Sequence, residues 1–363
     1  MSISSPSVIR AVLVVTLLVG LARMAPAQNS SAANSLATGS NAPGAGAGAA
    51  ASIGVVEWLR RMHSASRQRN YVGNFVVSAA TGDMASARIW HVCEGDTQFE
   101  RIEALSGPPR STFRRNDHVM TFLPDSRVVK VEKRQLLELF PNLMGAPESS
   151  IAELYEARLV GKDRVAGFEA DVVELSAKDS LRFGYRIWSE RKSGLVVKLQ
   201  TVDGDKRVIE QSAFSELQLD PPIKSQALAQ MMASTAGYRV EKSELEHTSA
   251  LSEGWALEPA VVGFKPVSCL KRAMAPAAGE GGSAAPNAHM MQWTFSDGLA
   301  SVSLFVEPFS ARGQQREAIM TSGATYTMTR RISGKGGDWW LTAVGEVPPQ
   351  TLEAFWRSLV RRP

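Results

Sequence analysis

The chain has 363 residues, enough for two domains with separate cores, and its 44% hydrophobic content places it among ordinary globular proteins. Forty basic residues against thirty-six acidic ones leave a formal charge of +4, too small an excess to point to a nucleic-acid partner. The two cysteines, Cys93 and Cys269, lack the spacing of a metal or redox motif.

The first 27 residues read as a signal peptide. Arg10 supplies a positive start, Ala11 to Ala22 is apolar, and Ala25-Pro26-Ala27 fits a small-x-small cleavage site. The apolar run is short for a membrane span, no twin arginine precedes it, and no cysteine sits at the cleavage site. A soluble secreted protein is expected. Cleavage removes Arg10 and Arg23 and no acid, which lowers the formal charge to +2. In an oxidising compartment the two cysteines can pair, but they fall in different expected domains and read better as separate buried thiols. Residues 28–51 are almost entirely Ala, Gly, Ser and Asn, a composition that buries no core and predicts a disordered tether.

Structure is expected from Ile53. Val55, Val56, Trp58, Leu59 and Met62 recur at helical spacing with Arg60, Arg61 and Arg67 between them, so an amphipathic helix is predicted to end near Asn70. Strands follow at Tyr71–Ser78, Ala87–Cys93, Gln98–Leu105, His118–Leu123 and Val128–Glu132, separated by Gly-, Pro- and Asp-containing breaks. Residues 136–154 look irregular and partly helical. Tyr155–Val160 and Phe168–Leu175 then bracket a turn at Gly167. The meander from Tyr185 to Leu217 closes the domain near Leu219, with Ile187, Val197, Leu199, Val208 and Phe214 interleaved among polar residues. One helix and many antiparallel strands predict a broad, curved sheet whose concave side needs filling.

Pro221-Pro222 marks a boundary, and residues 220–254 read as a linker with a short helix. Ser225 is its expected cap and Leu228, Met231 and Met232 its apolar residues. A second domain over residues 255–361 contains strands near Gln292–Phe295, Val302–Val306 and Leu341–Val344. An Ala/Gly-rich insertion, Ala275 to Ala288, interrupts it. Leu352, Phe355, Trp356, Leu359 and Val360 form a helical stripe after Pro348-Pro349. The predicted class is therefore α+β with two domains, the first over residues 53–219.

Catalytic signals are sparse. The five histidines form no HExxH or His/Cys metal cluster, and there is no GxSxG elbow, P-loop or GxGxxG after a strand. His91 and Cys93, two apart on a strand, read as same-face packing instead of a nucleophile pair. No cofactor, metal or catalytic residue is assigned, and the chain is not read as an enzyme. The aromatic residues offer more. A curved sheet with one covering helix leaves apolar surface for a lipid chain, and Trp90, Phe99, Phe122, Trp188, Leu199 and Phe214 are the candidate lining. Arg110, Arg114, Arg115, Arg127, Lys130, Lys133 and Arg134 are a candidate rim for anionic head groups or an acidic partner segment, against a solvated hairpin as the plainer account.

Several motifs, in order, resemble the RseB/MucB family of periplasmic negative regulators of the envelope-stress sigma-E factor. In the first domain they are Tyr71-Val72-Gly73-Asn74-Phe75, the FPNLMG stretch from Phe140 to Gly145, and Tyr185-Arg186-Ile187-Trp188. In the second they are Trp255, Gly263-Phe264, Phe295-Ser296-Asp297-Gly298-Leu299, Val302 to Glu307, and Val344-Gly345-Glu346-Val347-Pro348. The resemblance spans Ile53 to the C-terminus. It implies a first domain similar to LolA and LolB, an unclosed antiparallel β-barrel with covering helices, and a smaller antiparallel sheet packed with the C-terminal helix. It also implies binding to the periplasmic part of an RseA/MucA-like anti-sigma factor, protection of that factor from site-1 proteolysis, and release on binding lipid or lipopolysaccharide. Asp297 to Leu299 and Trp255 are then expected near the partner. A LolA-like lipoprotein or lipid carrier is the alternative, and a homo-oligomer is left open.

Overall fold

The computed structural model describes residues 55–95, 97–133, 151–242, 245–273, 289–310, 316–334 and 337–362. The leader, the tether, Arg134, the FPNLMG stretch and the Ala275–Ala288 insertion lie outside the described residues.

Helix α1 (Val55–Gln68) places Trp58, Leu59, Met62 and Ala65 on one buried stripe, with Glu57 in its first turn and Arg67 in its last, as the helix dipole favours. A meander follows: β1 (Tyr71–Ala79), β2 (Met84–Glu94), β3 (Thr97–Ala104), β4 (Ser111–Arg115), β5 (His118–Leu123) and β6 (Val128–Lys133). Strand β4 is not among those expected from the sequence, because its run Ser-Thr-Phe-Arg-Arg carries one apolar residue. After a single helical turn, α2 (Ile151–Leu154), a second meander comprises β7 (Tyr155–Val165), β8 (Phe168–Ala177), β9 (Gly184–Glu190), β10 (Val196–Val202) and β11 (Val208–Leu219). The two meanders join where β11 pairs antiparallel with β1, from Tyr71 opposite Leu219 to Ala79 opposite Glu210.

The linker is woven into this sheet. Helix α3 (Ser225–Ala233) begins one residue earlier than a Ser225 cap requires: Lys224 is the N-cap, and the Ser225 hydroxyl donates to Glu94 instead. Strand β12 (Arg239–Lys242) then runs parallel to β6 and completes a twelve-stranded sheet with β12 and β7 at its edges.

The sheet buries apolar side chains on both faces. Cross-strand register puts Tyr71, Phe75, Ile89, Phe214 and Ile187 on the face that α1 covers. Val92, Phe99, Phe113, Phe122 and Val129 point the opposite way, and there Leu228 and Met232 of α3, with Tyr238, pack over them. Each half of the sheet is therefore roofed by a different helix on a different side.

The second sheet holds seven strands in the order β13, β15, β16, β17, β20, β19, β18. They are β13 (Glu246–His247), β15 (Lys265–Ala273), β16 (His289–Ser296), β17 (Ser301–Pro308), β18 (Ala318–Ser322), β19 (Thr325–Gly334) and β20 (Gly337–Gly345); a separate strand, β14 (Trp255–Leu257), precedes β15. Helix α4 (Pro349–Ser358) drives Leu352 and Phe355 into the core against Phe264 and Phe295. The expected helical stripe ends early. Leu359 is extended and, with Val360, belongs to β21 (Leu359–Arg361), which pairs with β14. Tertiary pairing with Trp255–Leu257 outweighs local helical periodicity there.

Leu59, on the inner stripe of α1, is fully buried. Leu59→Ala is expected to destabilise the first domain by about 2–5 kcal/mol through lost burial and a cavity, measured by urea unfolding followed at the α1 tryptophan, Trp58.

Candidate functional site

The two domains meet at the β8–β9 connection. Its carbonyls receive the start of α4: the Thr351 hydroxyl donates to Leu181 at 2.7 Å and the Gln350 amide to Ser180 at 2.8 Å. Between these residues and the second sheet lies Arg182, whose side chain is 0% exposed. Its Nε donates to Asp297 Oδ2 at 2.7 Å, its Nη2 to the Val262 carbonyl at 2.7 Å, and its Nη1 to Asp179. The guanidinium sits 5.0 Å from the Phe264 ring centroid.

Asp297, also 0% exposed, is saturated. Its Oδ2 accepts the Tyr155 hydroxyl at 2.9 Å as well as Arg182, and its Oδ1 accepts the N–H groups of Leu299 at 2.9 Å and Ala300 at 2.7 Å. Burial, with Tyr185 and Asp297 alongside, holds the Tyr155 phenol protonated well above its usual range. Gly263 is required at this seat. Its φ of +82° is left-handed, and a Cβ there would fall 2.2 Å from Arg182 Nη2. A second contact is made by Glu210 of β11, whose Oε2 accepts the Ala324 N–H at 3.0 Å, and Phe183 of the β8–β9 connection meets Tyr326 of β19 with ring centroids 6.2 Å apart.

The candidate lining residues do not share one surface. Leu199 and Phe214 are on the α1 face. Trp90, Phe99 and Phe122 are on the α3 face: Phe122 meets Phe113 and Tyr238 edge-on at 5.4 Å each, and Trp90 lies between Arg88 and Arg101 at 5.0 and 4.6 Å. Trp188 is registered on the strand face opposite Ile187 yet belongs to the same buried cluster as Phe214; it donates to Asp163 at 2.8 Å and carries the Lys198 ammonium 4.2 Å above its ring. The basic group divides in the same way. Arg114, paired with the largely buried Glu100 at 3.5 Å, and Lys130 face one side; Arg115, over Phe99 at 5.3 Å, and Lys133 face the other. Arg110 lies just before β4 in the same hairpin.

His91 and Cys93 do share a face. His91 stacks on Tyr71 at 4.8 Å, its Nδ1 is 2.9 Å from the Arg69 carbonyl, and burial lowers its pKa. Burial pushes the Cys93 thiol up to about 11, and Cys269 likewise, so both remain thiols at neutral pH; neither is in a disulfide. Among the described residues no group of three or more His, Cys, Asp or Glu is placed to hold a metal, and no helix is long and apolar enough to cross a membrane.

Trp255 is buried in the second core, and Arg361 lies between it and Trp339, 5.1 and 4.7 Å from the two rings. These residues, with His289 and Glu253, line a half-open cleft of about 370 Å³.

Comparison with known proteins places this two-domain arrangement. Residues 54–232 match the sequence model of the MucB/RseB N-terminal domain and residues 249–360 that of the MucB/RseB C-terminal domain. The chain belongs to the MucB/RseB family. The sigma factor AlgU regulatory protein MucB of Pseudomonas aeruginosa is 29% identical over 314 residues, covering 82% of this chain and 88% of that one. The sigma-E factor regulatory protein RseB of Escherichia coli K12 is 24% identical, covering 81% and 87%. The crystal structure of MucB in complex with MucA(peri) aligns with a TM-score of 0.63 at 26% identity, over 85% of this chain and 98% of that one. A second complex, of Pseudomonas aeruginosa MucA and MucB, gives 0.64 at 26% identity, over 85% and 99%.

Within this MucB/RseB chain the family-like motifs acquire physical roles. Gly263-Phe264 and Asp297 surround Arg182, so they join the domains. Sequence reasoning missed Arg182, Tyr155 and Glu210. The available signal was a charge inside an apolar run, Leu181-Arg182-Phe183, which predicts a buried partner without naming it.

Arg182→Met leaves Asp297 buried without its cation. A loss of about 3–5 kcal/mol is expected in urea unfolding, and uncoupling of the two domains should appear as two transitions in place of one.

Proposed function

We propose that this chain is a periplasmic regulator that holds the periplasmic region of a MucA- or RseA-like anti-sigma factor, shields it from site-1 proteolysis and so restrains a sigma-E-type factor. The observation that carries this reading is the presence of both MucB/RseB domains, in order and joined through a buried junction. Relatives that cover the same two domains are named as regulators of AlgU or sigma-E, and MucB is seen in complex with MucA. The partner segment docks beside the junction.

Release by a lipidic signal belongs to the same proposal. Each buried methylene contributes about 0.8 kcal/mol, so an acyl chain competes well with a protein contact of ordinary strength. The lipid must prefer the released state, since equal affinity for both states shifts nothing. The α1 face is the better entry. There Leu199 is only half-buried and the cover is one amphipathic helix, whereas Phe122 is closed over by Tyr238 and α3.

The test uses the chain, the periplasmic region of the cognate anti-sigma factor and a DegS-like protease. Bound chain should slow cleavage at least about tenfold, and lipopolysaccharide fragments should restore it. Leu199→Asp should abolish the lipid effect while Trp90→Gln leaves it intact. Cleavage at the same rate with and without the chain refutes the regulatory reading; loss of the lipid effect in Trp90→Gln alone moves the lipid off the α1 face.

A further inference from the structure

None of the residues that join the domains lines the half-open cleft of the second domain. The floor of that cleft is the buried pair Met291 of β16 and Val306 of β17, which stand opposite each other in the sheet. Trp339 of β20 forms a wall and meets Trp255 of β14 edge-on, with ring centroids 5.5 Å apart. Leu251, 73% exposed, stands at the mouth.

Arg361 enters this cleft from β21, where it is registered opposite Trp255. Its guanidinium lies 5.1 Å from the Trp255 ring and 4.7 Å from the Trp339 ring, so two indoles fix its position. Its Nη1 donates to the Glu253 carbonyl, and among the described residues no other hydrogen bond engages the side chain. The Nε and Nη2 edge is left without a protein acceptor. Gly254 shapes the seat: its φ is +75°, and a Cβ there would fall 2.4 Å from Arg361 Nη1 and 2.8 Å from its Cζ.

The other charges here are drawn elsewhere. Glu253 Oε2 lies 2.5 Å from His289 Nε2, and its Oε1 accepts the Thr248 hydroxyl at 2.6 Å. Arg362 pairs with Glu258. On neighbouring strands Lys271 pairs with Glu246 at 3.2 Å, and Arg331 pairs with Asp338. Among the described residues no carboxylate forms an ion pair with Arg361. One half-buried, unanswered positive charge therefore borders a recess with an apolar floor.

We propose that this cleft binds a small carboxylate carrying a flat apolar body, with the carboxylate on the open edge of Arg361 and the body over Met291 and Val306 against Trp339. A guanidinium held in place presents its N–H donors as a fork that matches the two oxygens of a carboxylate. A single unmatched positive charge suits a monoanion better than a phosphate dianion. The apolar floor rewards a body that a bare anion lacks. At about 370 Å³ the cleft lies near the lower end for small-molecule sites, which fits one ring with a short acid arm.

The site goes beyond the regulatory reading and is tested on the full chain with no anti-sigma factor in the sample. Phenylacetate is the probe, phenylacetamide its uncharged counterpart and acetate the anion without a ring. A ligand-observed NMR titration at low salt should show saturable phenylacetate binding, with both controls at least about tenfold weaker. Leu251 is exposed enough to be replaced without disturbing the core. Leu251→Lys should tighten phenylacetate binding and Leu251→Asp weaken it, each about two- to fivefold, while phenylacetamide responds to neither. Arg361→Gln and Gly254→Ala should lose phenylacetate, with near-UV circular dichroism showing the tryptophans still packed. The Leu251 pair decides the matter whether or not those two variants fold. No saturable binding up to about 10 mM phenylacetate overturns the proposal. So does phenylacetamide binding as tightly as phenylacetate, equal affinity in the two Leu251 variants, or a folded Arg361→Gln variant that binds like the wild type.

Discussion

The ion pair between Arg182 and Asp297 sets the terms for the molecule. A guanidinium and a carboxylate withdrawn from water are tolerable only when each remaining donor and acceptor is met, and here they are: by Tyr155, by the turn amides of Leu299 and Ala300, by the Val262 carbonyl and by Asp179. These groups come from β7, the β8–β9 connection, the loop before β15 and the β16–β17 turn. The pair therefore works as a registration pin. It supplies little net stability against an apolar substitute of equal volume, but it penalises any arrangement of the two domains that leaves one charge alone.

The first sheet handles its apolar surface in a related way. Twelve strands of this length twist too far for one helix to cover them, so α1 shields one face of one half and the linker helix α3 shields the opposite face of the other. The linker is thereby a structural part of the first domain and, through β13, of the second sheet's edge. Any event that dislodges α3 or β12 is felt at both domains. An event under α1 reaches the junction through Tyr155, which packs with Trp58 and Leu59 and donates to Asp297. This gives a contiguous path from the proposed lipid face to the domain boundary.

Alternation and helical spacing alone determined much of this protein: α1, most strands of the first sheet, three of the seven strands of the second, the linker helix and the two-domain order were legible because period 2 and period 3.6 are local properties of neighbouring residues. Short or polar strands such as β4, β12 and β13 were not, since their pairing depends on a partner strand and not on their own composition. The end of α4 was misread for the same reason, as Leu359 and Val360 keep helical spacing yet pair with β14. Aromatic residues were rightly placed in the sheet, but the face each one takes follows from register across many strands. Arg182 and Asp297 stand 115 residues apart and Glu210 and Ala324 114 apart. Only the tertiary structure decides that such charges meet, because burial and partnership are set by the folded path of the chain and not by its local sequence.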